Sequence, residues 1–274
     1  MPRFPLFVAL SAVLLGGCIA KEDASVTNEQ GDEVSDPTLA LNGFWDGQFD
    51  QSGSLRVLVY NGTVYALDET NGYYGTVVLN DDTSIASFAL TAYELSENDT
   101  TGNQYVADGN DEDYSLAGLL FSSESTDDTL VGDFANDADT GSFSLTNDDT
   151  WDNNSALSLL AGKWTATGYE FYIEPLSSKA SFKGISTDAS GCTFEGDITL
   201  IDKSYTLYAV SLRERKNCTG FNVTDATGYA AINTDGQLEV YLRKDTDLLF
   251  MIYTAPTTTT TDTTTDTTTD TTTQ

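Results

Sequence analysis

Cysteine is the residue type in this chain whose chemistry can be assigned first, because the sequence has only three: Cys18, Cys192 and Cys218. A thiol can act as a nucleophile, bind a metal or form a disulfide. Histidine is absent from all 274 residues. The chain therefore cannot contain a Ser-His-Asp or Cys-His catalytic arrangement, or a zinc or copper site with histidine ligands. The surroundings of each cysteine then indicate which role its thiol has.

Cys18 follows a segment of the type that directs export. Arg3 supplies a positive charge, and Leu6–Leu15 (LFVALSAVLL) is an uninterrupted apolar run. Such a run is too short for a stable membrane-spanning helix but suits the hydrophobic region of a signal peptide. Gly16 and Gly17 then place two small residues directly before the cysteine. Small side chains directly after the apolar run are typical of the end of a signal peptide.

The stretch Leu15-Gly16-Gly17-Cys18 resembles the lipobox of bacterial lipoproteins. That resemblance implies that residues 1–17 are removed and that the Cys18 thiol carries a diacylglyceryl group with fatty acids such as palmitate. Ile19, rather than aspartate, follows the cysteine. By the sorting rule of enterobacterial lipoproteins, the resemblance implies export to the outer membrane, with the side of the membrane left open. Residues 18–40 are therefore interpreted as the lipid anchor at Cys18 followed by a tether, and the polar, acidic composition of the tether predicts that it is disordered.

Cys192 and Cys218 lie symmetrically about a predicted turn at Asp202-Lys203-Ser204. The segment between them therefore predicts a β-hairpin with both cysteines near its open end. An exported protein meets an oxidising compartment, which favours a disulfide between them. The chain-entropy model gives such a loop a stabilisation of about 3.5 kcal/mol. The absence of a Cys-x-x-Cys pattern disfavours a redox role.

The remaining chain is predicted to contain two β modules, because the pair Gly43 and Trp45 recurs as Gly162 and Trp164. Each Gly-x-Trp opens a long series of strand patterns. This opening resembles the first strand of lipocalin-like and avidin-like barrels, and the resemblance implies that each tryptophan has a structural role at one barrel end. The predicted divisions are an acidic module at 41–152, a connector at 153–159, a disulfide-bridged module at 160–255 and a disordered Thr/Asp-rich tail at 256–274.

Both modules show alternating apolar and polar residues bounded by turn residues, and no window has a convincing helical period. Asn61-Gly62 and Asn71-Gly72 separate strands in the first module. The second module has eight short strand patterns with short connections. We therefore predict an all-β fold of two consecutive, antiparallel, up-and-down barrels. Seven aromatic residues of the first module are predicted to fill its interior: Tyr60, Tyr65, Tyr73, Tyr74, Phe88, Tyr93 and Phe121.

Charge is distributed unevenly between these modules. Residues 22–162 contain 28 acidic residues and one basic residue, Arg56, whereas residues 163–256 contain 12 acidic and 9 basic residues. A formal net charge of −31 disfavours nucleic-acid binding and docking on anionic lipid headgroups. The acidic runs lack the spacing of an EF-hand, so we interpret them as solvated turns and predict no metal site. The weak calcium candidates within them are Asp108, Asp111, Asp113, Asp137 and Asp139.

The sequence contains none of the common catalytic motifs. The sequence has no Gly-x-Ser-x-Gly, Ser-x-x-Lys or Gly-x-Gly-x-x-Gly pattern, and Gly162-Lys163 lacks the context of a phosphate-binding loop. We therefore predict a lipid-anchored cell-envelope protein with a non-catalytic binding or structural role and no cofactor. Residues 150–255 are similar to uncharacterised two-module lipoproteins of Gram-negative bacteria.

Two alternatives remain open. The stretch 130–146 resembles the β-barrels of surface lipoproteins such as transferrin-binding proteins, which would imply that the chain binds a partner protein outside the cell. A hollow barrel would instead imply a lipocalin-like carrier of a small apolar ligand.

Overall fold

The computed structural model describes residues 25–27, 33–49, 53–95, 104–106, 113–123, 126–218 and 220–255. Within these ranges the chain is almost entirely antiparallel β-structure with two short 3₁₀ helices, Pro37–Leu41 and Leu157–Leu160. The all-β prediction is therefore confirmed. Cys18 and the Thr/Asp-rich tail lie outside the described residues.

The segment upstream of the barrels contains one strand pair. Strand β1 (Ser25–Thr27) pairs with β2 (Glu33–Ser35), with Val26 opposite Val34. This pairing differs from the disordered tether predicted for these positions. β-Branched valines at the centres of both strands favour an extended backbone.

The first module is a closed barrel of eight antiparallel strands. Neighbours in the ring are also neighbours in sequence, and β11 returns to pair with β3 through six residue pairs, from Phe143↔Phe49 to Asp148↔Phe44. At the first hairpin, Asn61 and Gly62 both have positive φ (48° and 73°), as the predicted Asn-Gly turn requires. The strands are β3 (Gly43–Phe49), β4 (Gly53–Tyr60), β5 (Thr63–Leu67), β6 (Asn71–Asn80), β7 (Ile85–Leu95), β9 (Asp113–Ser123), β10 (Thr126–Ala135) and β11 (Thr140–Asp148).

The second module is a curled sheet of eight antiparallel strands. Its edge strands β12 and β19 approach each other at one isolated bridge, where Thr165 and Thr254 exchange backbone hydrogen bonds of 3.2 and 2.7 Å. This closure is much shorter than the β11–β3 ladder, so the sheet forms a half-barrel. The strands are β12 (Gly162–Ala166), β13 (Tyr169–Pro175), β14 (Ala180–Ser186), β15 (Thr193–Leu200), β16 (Tyr208–Lys216), β17 (Val223–Ile232), β18 (Leu238–Lys244) and β19 (Asp247–Tyr253).

A short strand that the sequence patterns do not reveal joins the two modules. Strand β8 (Gln104–Val106) lies in the connection between β7 and β9 and pairs with the end of β7. It also pairs with β19, with Val106 opposite Asp247 and Gln104 opposite Leu249. The first module therefore covers part of the open edge that the half-barrel would otherwise expose.

Side chains fill the interiors of both modules. In the second module, Gly184 lies opposite Phe194 and Gly196 lies opposite Phe182. A Cβ on Gly184 would lie 2.1 Å from the Phe194 ring, and one on Gly196 would lie 2.5 Å from the Phe182 ring. The glycines thus provide the space that the phenylalanine rings occupy. Small internal cavities remain, with volumes of about 10 Å³ in the first module and about 30 Å³ in the second.

The prediction that seven aromatic residues fill the first barrel is largely wrong. Tyr73 and Phe88 belong to the barrel core. Phe121 is 54 % exposed on the outer face. The other four, Tyr60, Tyr65, Tyr74 and Tyr93, contact the second module. Strand alternation assigns residues to two faces, but it cannot show that a second module covers the outer face.

Candidate functional site at the inter-module interface

The weak calcium candidates do not form a metal site in the part of the chain that the structure describes. Asp108 and Asp111 lie outside that part. Asp113, Asp137 and Asp139 are exposed, and no cluster of three acidic or cysteine side chains suitable for a metal occurs among the described residues.

The polar residues of the β10–β11 turn form hydrogen bonds within the turn itself. The Asn136 Oδ1 accepts hydrogen bonds from the backbone N–H groups of Ala138 and Asp139. The Asp139 carboxylate in turn accepts one from the backbone N–H of Thr140 at 2.8 Å. Such side-chain bonds are what short polar turns use to hold their backbone.

The two Gly-x-Trp motifs adopt matching geometry. The indole N–H of Trp45 donates to the carbonyl of Leu41 at 3.0 Å, and that of Trp164 donates to the carbonyl of Leu160 at 2.8 Å. Both indoles are buried in the cores of their modules. In each case the accepting carbonyl belongs to the end of the preceding 3₁₀ helix. The tryptophans therefore tie the entry of each module to its core.

The glycines of the two motifs have unusual backbone conformations. Gly43 has a φ of 147° and Gly162 a φ of 116°. These values lie where residues with a Cβ are strained, which accounts for glycine at both positions. In the connector, Ala156 precedes the second 3₁₀ helix without a side-chain cap, and the Ser155 hydroxyl donates to the carbonyl of Asp202 at 2.6 Å.

Cys192 and Cys218 form a disulfide, as the hairpin pattern predicts. They flank the antiparallel pair β15–β16, in which Thr193 lies opposite Lys216. A register shift between Glu195 and Gly196 places an extra residue, Arg213, in β16. This bulge reverses the alternation of inner and outer side chains beyond it, which the sequence analysis did not foresee.

The bulge directs Arg215 into the half-barrel, where it is buried. Its guanidinium donates to the carbonyls of Gly220 and Phe221 at 3.2 and 2.8 Å, and to the Tyr169 hydroxyl at 3.2 Å. The charge is therefore satisfied by the loop that follows Cys218 and by β13. Because Arg215 is used in this way, we assign it a structural role.

The outer faces of the two modules meet in an aromatic and apolar interface. Tyr60 contacts Tyr229 with ring centroids 5.3 Å apart, and Trp151 stacks on Tyr205 at 4.2 Å. Fully or largely buried members of this interface come from both modules: Phe44, Leu58, Tyr65, Tyr93, Leu207, Ala231, Tyr241 and Leu248. Burial of this many apolar side chains makes the arrangement of the two modules a part of the fold.

Arg56, the lone cation of residues 22–162, lies at this interface. Its guanidinium contacts Asp46 at 2.6 Å, Asp148, and Glu239 of the second module at 3.3 Å. The Glu239 carboxylate also accepts hydrogen bonds from the Tyr241 hydroxyl at 2.7 Å and from Asn233 at 3.0 Å. Arg56 was not among the residues predicted to form a functional site. Its isolation within a long acidic stretch was the signal that could have identified it.

The carboxylates around Arg56 have different electrostatic surroundings. Burial raises the pKa of Asp46 to about 6, with Arg56 opposing this shift and the Asp148 charge adding to it. For Asp148, burial acts to raise the pKa, but the hydrogen bonds from Arg56 and Thr150 outweigh it and hold the pKa below its usual value. Burial and the neighbouring Glu239 raise the pKa of Tyr241. Arg56 therefore acts to lower the pKa values of both Asp46 and Asp148, but only that of Asp148 ends below its usual value.

A cleft of about 420 Å³ opens beside this interface, where β5 and β6 face β15, β16 and β17. Three tyrosines from both modules line it: Tyr65, Tyr74 and Tyr229. Hydroxyl and carboxylate side chains line it as well: Thr63, Asp197, Thr199, Ser211 and Thr227. Its volume lies in the range of small-molecule sites, unlike the small cavities inside the modules. A larger and more open depression of about 870 Å³ lies on β7, β9, β10 and β11 of the first module. The cleft is the candidate site because it combines tyrosine, hydroxyl and carboxylate side chains from both modules.

Comparisons with known proteins do not identify a family. No protein-family model matches the chain, and no curated protein matches it. One solved structure that matches the chain is "Aeromonas veronii immune modulator A", at 12 % identity and a TM-score of 0.38. The match covers 77 % of this chain and 93 % of that chain. A similarity at this level carries no argument about function.

Proposed function

We propose that the chain is a lipid-anchored protein of the bacterial cell envelope with a non-catalytic binding role. The observation that carries the anchor is the sequence Leu15-Gly16-Gly17-Cys18 after an apolar run of signal-peptide length. The pairing of Cys192 with Cys218 is consistent with export, because disulfides persist in oxidising compartments. Cys18 is the third cysteine of the sequence and is not part of this disulfide.

The geometry favours a binding role outside the barrels over the transport of an apolar ligand within them. Cavities of about 10 and 30 Å³ accommodate at most a few water molecules. A lipocalin-like carrier needs space for an entire ligand, which here would require several core side chains to move. No described helix has the length and apolar content needed to cross a bilayer. The attachment that we propose is the lipid at Cys18.

Substitution of Cys18 by serine tests the anchor. Cells that express the full chain would be labelled with an alkyne analogue of palmitate and fractionated, with Ala20→Ser as the matched control outside the motif. We expect the label on the wild type and on Ala20→Ser. Cys18→Ser should carry no label, and it should either leave the membrane fraction or keep its signal peptide. A Cys18→Ser chain that remains processed, labelled and membrane-bound would contradict the proposal.

A further inference from the structure

The second module contributes a polar row to the wall of the inter-module cleft, on β15, β16 and β17, and the row continues past the cleft lining to Arg243 on β18. Asp197 lies opposite Ser211, Ser211 opposite Thr227, and Thr227 opposite Arg243. Neighbouring strands are about 4.8 Å apart, so the row is roughly 14 Å long. A carboxylate stands at one end, a guanidinium at the other, and two hydroxyl groups lie between them. The row thus presents hydrogen-bonding groups at a regular spacing.

The opposite wall of the cleft is aromatic. The rings of Tyr65 and Tyr74 of the first module lie 5.0 Å apart in an edge-to-face arrangement, and Tyr229 of the second module lies beside them, with its ring centroid 6.0 Å from that of Tyr65. Arg243 lies over the Tyr74 ring, with its Cζ 4.1 Å from the centroid. The buried Nε of Arg243 has no hydrogen-bond partner among the described residues. The tyrosine rings and the Arg243 guanidinium therefore border the polar row.

The hydroxyl groups of the cleft are also unused within the protein. Seven lining residues carry one, and none of the seven hydroxyls has a hydrogen-bond partner among the described residues: Thr63, Tyr65, Tyr74, Thr199, Ser211, Thr227 and Tyr229. Buried tyrosines elsewhere do use their hydroxyls, as Tyr73 does with Asp68 at 2.6 Å and Tyr208 with Ala156 at 3.1 Å. Hydroxyl groups without a protein partner and aromatic rings therefore lie side by side in the cleft.

The charges of the cleft favour a neutral ligand. Asp197 already contacts Lys179 at 3.1 Å and Arg213, which together hold its pKa below the usual value against the opposing effect of burial. Arg243 at the other end disfavours a cation. The net charge of −31 repels an anion at long range. A neutral ligand with many hydroxyl groups and some apolar C–H surface therefore matches the two walls.

We propose that the inter-module cleft binds a neutral oligosaccharide of two or three sugar rings. The sugar hydroxyls would exchange hydrogen bonds with Ser211 and Thr227, and the sugar ring faces would pack against the partly exposed rings of Tyr74 and Tyr229. The polar row of roughly 14 Å and the cleft volume of about 420 Å³ admit such a ligand. The inference deepens the proposed binding role, on which it rests, but it does not depend on the lipid anchor.

Binding to a panel of neutral trisaccharides tests the proposal. The purified full chain in detergent would be titrated with maltotriose, cellotriose, laminaritriose and chitotriose, and binding measured by saturation-transfer NMR and calorimetry. We expect at least one trisaccharide to bind. The Ser211→Ala/Thr227→Val variant should weaken that binding by roughly three- to tenfold for each lost hydrogen bond. Both side chains are exposed, so the variant should fold normally.

Thr224→Val is the matched control, because Thr224 is an exposed threonine on the same strand as Thr227 but does not line the cleft. It should bind as the wild type does. Absence of binding by all four trisaccharides would overturn the proposal. Equal binding by the wild type and by Ser211→Ala/Thr227→Val would also overturn it. Neither result changes the Cys18→Ser labelling, so failure of the saccharide site and failure of the anchor are distinguishable.

Discussion

The two modules begin alike and close differently. Each starts with a 3₁₀ helix whose final leucine carbonyl accepts the indole N–H of Trp45 or Trp164. The first module then closes through the six residue pairs of β11 and β3, whereas the edges of the second meet at Thr165 and Thr254. The disulfide is found in the module with the weaker closure. The difference indicates that a common entry motif does not determine how completely a sheet closes.

The modules also use their cations differently. The first has Arg56, which lies at the interface and contacts carboxylates of both modules. The second arranges several cations on its outer face, where Lys163 pairs with Glu170 and Arg213 pairs with Glu195 and Asp197. Exposed pairs of this kind contribute little to stability, whereas a largely buried cation is costly to remove. The comparison therefore predicts unequal effects of charge removal in the two modules.

The largest expected effect comes from removal of the disulfide. The double variant Cys192→Ala/Cys218→Ala should lower the free energy of unfolding by about 3.5 kcal/mol, because the loop of 26 residues gains entropy when the chain unfolds. Urea denaturation followed by tryptophan fluorescence measures this change. Wild type in reductant should match the variant, and reductant should not affect the variant. A loss below about 1 kcal/mol would show that the half-barrel does not depend on its covalent link.

A somewhat smaller effect is expected at Arg56. Arg56→Met keeps the aliphatic volume but leaves the largely buried carboxylates of Asp148 and Glu239 without their cation. We expect a loss of about 3 kcal/mol in the free energy of unfolding. Arg213→Met, which removes a more exposed cation from the second module, is the matched control and should cost less than about 1 kcal/mol. Equal losses in the two variants would refute the contrast between interface and surface charges.

The smallest expected effect is a pH dependence due to Asp46. Its pKa is about 6 in the folded protein and 3.8 as the reference value, so the folded state binds more protons between these values. The free energy of unfolding therefore falls as pH rises through this window. Because 55 % of the side chain is exposed, solvent screening should limit the effect to less than about 1 kcal/mol.

Thermal unfolding of the wild type and Asp46→Asn from about pH 4 to pH 7 measures that contribution. The asparagine variant should lose this part of the pH slope. Gln48→Ala, at another exposed position of β3, should keep the slope of the wild type. Parallel profiles for the wild type and Asp46→Asn would show that Asp46 does not contribute to the pH dependence of the interface.

Much of the fold could be predicted because it depends on local patterns. Alternation locates most strands, Asn61-Gly62 defines a turn, and the symmetry of Cys192 and Cys218 about residues 202–204 predicts a hairpin. The β16 bulge could not be predicted, since an extra residue in one strand leaves no clear composition signal. It changes the face on which Arg215 lies, and the buried network around this residue follows from that change.

The candidate site was less predictable than the fold. Its residues come from strands of both modules, and the row Asp197, Ser211, Thr227 and Arg243 becomes a row only when four strands pair in register. Each of these residues looks like an ordinary outward-facing polar position in its own strand. The sequence patterns also assign Tyr65 and Tyr74 to a strand without showing that a second module covers their face.

The sequence by itself determined the all-β class, the two-module repeat and the hairpin disulfide, and it is the basis of the proposed lipid anchor at Cys18, because each of these depends on residue types and spacing within short segments. Only the tertiary structure decided that one module closes and the other remains a half-barrel, that Arg56 lies between the modules, and that free hydroxyls collect in one cleft. These features depend on contacts between residues far apart in the chain. Such contacts are determined by packing and strand register, which local composition does not specify.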